Sequence, residues 1–137
     1  MGAWGHGSFD NDDAADWVGD FERNGVAAVV TMLQHVSNFG EDDYLEAPDA
    51  SAAIAAAEVV ASAHDGELSN LSQHARNVFT KYQHALTDPH LLETARRAVK
   101  RILRQSELKD LWEEGAGPES ALWSKALDSL SSRLGAR

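Results

Sequence analysis

Ala52-Ala53-Ile54-Ala55-Ala56-Ala57-Glu58-Val59-Val60-Ala61 is the stretch that decides the fold. Alanine is the strongest intrinsic helix former, and ten such positions exceed the length of an ordinary strand. The run is apolar on every face except at Glu58. A helix that is apolar all round belongs at the centre of a helical protein, with other helices packed about it. It is also far shorter than the roughly 20 apolar residues that a membrane span requires. Pro48 and Asp49 give a start signal and Asp65-Gly66 a stop, so the spacing predicts a helix from Pro48 or Asp49 to Ala63.

Toward the N-terminus, residues 2–9 form a glycine-rich lead-in with Trp4 and Phe9 as apolar anchors. A first helix is expected from Asp10, as N-cap, with an apolar stripe of Ala14, Trp17, Val18 and Phe21. Gly25 interrupts it. Val26, Val29, Val30, Leu33 and Val36 recur at spacings of three and four, which favours a helix even though Val is stiff and strand-prone. Residues 40–48 read as a loop anchored by Tyr44 and Leu45. A strand pair between residues 2–9 and 40–46 is the one alternative to an all-α chain.

Toward the C-terminus, Leu71, Ala75, Val78, Phe79, Tyr82 and Leu86 line a fourth helix. Asp88-Pro89 opens a fifth, with Leu91, Leu92, Ala95, Ala98, Val99, Ile102 and Leu103 on its apolar face. Ser106 caps a short helix carrying Leu108, Leu111 and Trp112, and Gly115 ends it. Gly117-Pro118 opens the last, with Trp123, Leu127, Leu130 and Leu134. The expected fold is therefore all-α, a compact multi-helix domain of about six to seven helices spanning residues 1–137.

The totals narrow the functional classes. There is no cysteine among the 137 residues, which excludes disulfide scaffolds and Cys-based zinc sites and suits a reducing cytoplasm. The N-terminus has no basic and apolar leader, so no signal peptide and no membrane anchor are expected. Net charge is −10, and it is lopsided. Residues 1–65 hold Arg23 as the only base against 13 acids, whereas residues 66–137 hold 11 bases and nine acids. This balance disfavours nucleic acid and favours a basic protein partner or mutual neutralisation of the two halves.

Three constellations bear on chemistry. The first is acidic: Asp10, Asp12, Asp13 and Asp16, followed by Trp17. Hard cations require several oxygen ligands, but Trp17 and Val18 fall where an EF-hand loop needs ligands, and a helix cap with a solvated acidic face is the favoured reading over a ligand or metal site. The second is Glu58, a carboxylate among apolar neighbours. It must be paired or protonated, either as an acid–base group or in a buried ion pair with an arginine of the fifth helix. The third is Arg96, Arg97, Lys100, Arg101 and Arg104 on the polar side of that helix, a phosphate-binding face or a solvated one. The six histidines lack metal-ligand spacing, and no nucleophile elbow, P-loop or dinucleotide fingerprint is present, so no cofactor is expected.

Three stretches taken together carry a family resemblance. They are Met1-Gly-Ala-Trp-Gly-His-Gly-Ser-Phe-Asp-Asn-Asp-Asp-Ala-Ala-Asp-Trp17, then Tyr44-Leu-Glu-Ala-Pro-Asp with Ala55-Ala-Ala-Glu-Val-Val-Ala61, then Ser106-Glu-Leu-Lys-Asp-Leu-Trp112. In order and spacing the chain resembles the bacterial family known as domain of unknown function 4259. The resemblance implies no activity. It singles out Trp4, Phe9, Asp10, Asp12, Asp13, Asp16, Trp17, Tyr44, Glu46, Glu58, Glu107, Leu108 and Trp112. The leading expectation is a small acidic binding or interaction protein without catalysis. The alternative is a small-ligand or metal-binding protein, or an enzyme, using Trp4, Asp10, Asp12, Asp13, Asp16, Trp17, Glu46 and Glu58.

Overall fold

The structure is a computed structural model that describes residues 7–40, 42–115 and 118–135. Among them are seven α-helices: α1 (Asp12–Asn24), α2 (Val26–Ser37), α3 (Ala47–Asp65), α4 (Gln73–Tyr82), α5 (Pro89–Arg104), α6 (Glu107–Gly115) and α7 (Pro118–Gly135), with one 3-10 turn at Ala85–Thr87. No strand forms among the described residues. Those within 2–9 and 40–46 make turns and coil rather than the alternative strand pair.

The alanine-rich run lies at the centre. All 13 residues from 50 to 62 are buried, Ser51, Glu58 and Ser62 included. Their small side chains let the surrounding helices approach closely, and α1, α2, α5, α6 and α7 all pack against α3. The helix runs one residue earlier and two later than its sequence signals suggest. Pro48 sits in its first turn, and Gly66, in the left-handed conformation at φ 75°, returns its N–H to the Ser62 carbonyl.

Two further boundaries differ from expectation. Asn11, not Asp10, caps α1: its Oδ1 accepts the Ala14 N–H at 2.7 Å. Asp10 is engaged elsewhere, because its carboxylate accepts the Gly7 N–H at 3.1 Å and closes the turn before the helix. The fourth helical stripe is also shorter than its apolar pattern. Leu71 precedes α4 and Leu86 lies in the 3-10 turn, yet both are buried.

Tight connections fix the order of packing. Gly25 alone separates α1 from α2, at φ 63° and ψ −140°, and a Cβ there would meet the Tyr82 ring at 3.0 Å. Ser106 joins α5 to α6: its Oγ donates to the Ile102 carbonyl and accepts the Lys109 N–H. Glu107 clips α6 to the start of α3, accepting the Ala47 N–H at 2.8 Å, while its own N–H reaches the Leu45 carbonyl. Leu45 is buried as expected, but Tyr44, expected as its fellow anchor, is 61% exposed. Among the described residues no helix is long and apolar enough to cross a membrane.

Candidate functional site

Glu58 is 1% exposed, so its charge must be met inside the protein. Three donors meet it. Ser8 Oγ, from the segment before α1, donates to Oε1 at 3.0 Å, and Asn70 Nδ2, from the α3–α4 connection, donates to Oε2 at 3.4 Å. Arg133 of α7 completes the set with Nη1 on Oε2. The predicted ion pair is present, but its arginine comes from α7 and not from α5. The last helix passes α3 two turns from its end, close enough for a long guanidinium to reach inward.

Arg133 also binds the C-terminal end of α3. Its Nε donates to Asp65 Oδ2 at 2.7 Å, and its Nη2 reaches Asp65 Oδ1 and the Glu67 carbonyl, each at 3.3 Å. Burial pushes the Asp65 carboxyl up, but the hydrogen bonds from Arg133 and from the Glu67 N–H outweigh it and hold the group below its ordinary range. Burial likewise opposes the Arg133 charge, and its bonds to Asp65 and Glu58 more than compensate, leaving the guanidinium firmly protonated.

A cleft opens over this network. Its volume is about 630 Å3, and its walls are residues 7–10, residues 69–72, Glu58, and Ala126 with Ser129 of α7. Phe9 and Leu71 supply a buried apolar wall. Ser8, Asp10, Ser69, Asn70, Ser72 and Ser129 supply hydroxyl, amide and carboxylate groups, and among the described residues no Lys, Arg or His lines the space. Such a mixture of a small apolar wall with convergent polar groups suits a small molecule.

The structure divides the residues expected to act together. Asp10 and Glu58 line the same cleft. Asp12 and Asp16 face solvent on the outer side of α1, and Asp13 is partly covered in its first turn; none of the three lines the cleft. Trp17 is a core residue, 4% exposed and stacked on Phe21 at 5.2 Å, and is not in the cleft lining. Glu46 is exposed just ahead of α3, away from the cleft lining and beside Tyr44 and Glu107. Trp4 lies outside the described residues. Among those described, no group of three His, Asp or Glu side chains is placed to hold a metal ion.

The basic run also divides. Arg96 and Arg97 pair with Glu93 along α5. Arg101, expected on the polar side, turns inward and is 7% exposed. Its Nη1 reaches the Gln105 carbonyl, and its Nη2 reaches those of Gly40 and Asp43 at 3.1 and 2.6 Å, so it fastens the α2–α3 connection. Sequence reasoning overlooked residues 69–72 and Ser129. Short runs of Ser and Asn read as ordinary loop or solvated helix face, and only their placement over Glu58 marks them.

No curated protein and no solved structure matches the chain. A family model does, over residues 2–126, which takes in the lead-in, the Glu58 helix and the α6 clip alike. The chain therefore belongs to the family described as domain of unknown function (DUF4259).

Proposed function

We propose that this is a binding protein without catalysis and that it holds a small polar molecule in the cleft above Glu58. The observation that carries this reading is the cleft itself: about 630 Å3, with two carboxylates, several hydroxyls and an amide converging on it. That volume falls within the roughly 300–1,000 Å3 of small-molecule sites. Catalysis is disfavoured by the state of Glu58. A general base must be free to take a proton, and this carboxylate is committed to Arg133, Ser8 and Asn70. The absence of cysteine suits a reducing compartment, and we place the protein in the cytoplasm.

Thermal unfolding against a library of small polar metabolites tests the proposal, with Ser129→Trp as the blocked form. Ser129 is exposed on the rim, so the indole occupies the cleft without entering the core. A ligand at about 100 times its dissociation constant adds roughly 2.7 kcal/mol. The expected result is stabilisation of the wild type that is lost in the variant. Equal stabilisation of both proteins contradicts the cleft as the site.

A basic protein partner is a second reading, supported by the solvent exposure of Asp12 and Asp16 on α1. It predicts that Asp12→Lys with Asp16→Lys abolishes capture of such a partner while leaving the cleft ligand unaffected.

A further inference from the structure

We infer that the cleft selects an organic ammonium ion, a short amine or diamine, rather than a neutral or anionic molecule. The inference rests on the cleft reading and names its ligand class.

The charge count around the cleft leads there. Asp10 and Glu58 line it, and Glu58 is bound to Arg133. Two lining carboxylates set against that one guanidinium leave a negative charge in excess. Arg133 is already shared between Glu58 and Asp65. Among the described residues no cationic side chain lines the cleft, so an anionic ligand meets like charge with only hydroxyl and amide groups to offset it. The surrounding chain, at net −10, adds a field of the same sign.

The polar groups suit an ammonium donor. One Asp10 oxygen holds the Gly7 N–H, and a carboxylate has lone pairs beyond that single bond. Asp10 is half-buried, where a charge-assisted hydrogen bond is stronger than on open surface. Ser69 and Ser129 on the rim offer further oxygen acceptors, and the apolar wall of Phe9 and Leu71 suits a methylene chain. An aliphatic amine, with a pKa near about 10.4 like that of lysine, is a cation at neutral pH.

Isothermal titration of the full chain with putrescine, 1,4-butanediol and succinate tests this inference. These three carry the same four-carbon spacing with different charge. Putrescine should bind at one site, and more weakly as salt is raised, while the diol and the diacid should not. Asp10→Asn preserves the oxygen that closes the Gly7 turn and removes the charge; it should weaken putrescine about tenfold or more. Ser129→Lys, a substitution at an exposed position, should do the same. Asp12→Asn with Asp16→Asn should leave binding unchanged. Equal loss in that control pair would mean diffuse attraction to an acidic surface and would overturn the inference. Preference for the diol or the diacid would overturn the ammonium assignment and leave the cleft intact as a binding site. Failure of all three probes, together with an empty metabolite screen, would remove both.

Discussion

Removing Arg133 leaves Glu58 buried with a charge and two neutral donors. Loss of one partner from a buried pair typically costs about 3–5 kcal/mol, so Arg133→Met should lower stability by about 3 kcal/mol in urea unfolding. Adding Glu58→Gln to that variant should restore part of the loss, because the orphaned charge is then gone. Asp65 gives the pair a pH signature. Its carboxyl is depressed in the folded chain, so its contribution is complete above the unfolded value near about 3.9 and is lost as pH falls through the lower folded value. Urea midpoints should therefore fall below about pH 4, and Asp65→Asn should flatten that acid limb. At this scale the sequence exposes one side of the problem. Glu58 among alanines and valines is costly wherever it lies, and that much is readable. Arg133 stands 75 residues away, at no spacing that relates the two, and only the packing of α7 on α3 joins them.

Element ends carry the next level of specificity. Gly25 turns α1 into α2 with a conformation that side chains rarely adopt and with the Tyr82 ring 3.0 Å from where a Cβ would stand. Gly25→Ala adds both strain and a 3.0 Å contact with the Tyr82 ring, and should cost about 1–3 kcal/mol in thermal or urea unfolding. Asn11→Ala removes the α1 cap and should cost about 1 kcal/mol, whereas Asp10→Ala should cost the helix less, since Asp10 is not its cap. The helices themselves are legible in the chain because periodicity survives wherever one face is buried and the other wet. Leu91, Ala95, Ala98, Val99 and Ile102 are buried in α5 as their spacing requires. Caps are less legible. Asp10, Asn11 and Asp12 are all competent N-caps, and the choice between them is made by the Gly7 turn, which claims Asp10. Arg101 shows the same limit: its spacing places it with its basic neighbours, but three backbone carbonyls draw it inward.

Across the whole molecule, a central helix of small residues lets elements distant in sequence meet over a single carboxylate. The segment before α1, the α3–α4 connection and α7 share no motif, yet Ser8, Asn70 and Arg133 converge on Glu58, and the cleft is the space left where those elements fail to close. The acidic opening is therefore two features. Asp10 belongs to the cleft, and Asp12 and Asp16 belong to the outer surface of α1. Sequence alone groups them because they are adjacent, while the helix start between them turns their side chains apart. The lopsided charge is partly neutralised across the halves, through Arg133 with Glu58 and Asp65. The most direct test of the cleft as a binding site is an amide proton–nitrogen correlation spectrum recorded during titration with the best stabilising ligand. Shifts confined to residues 7–10, 69–72 and 126–129 are expected. Shifts centred instead on the outer face of α1, around Asp12 and Asp16, would contradict the cleft as the site.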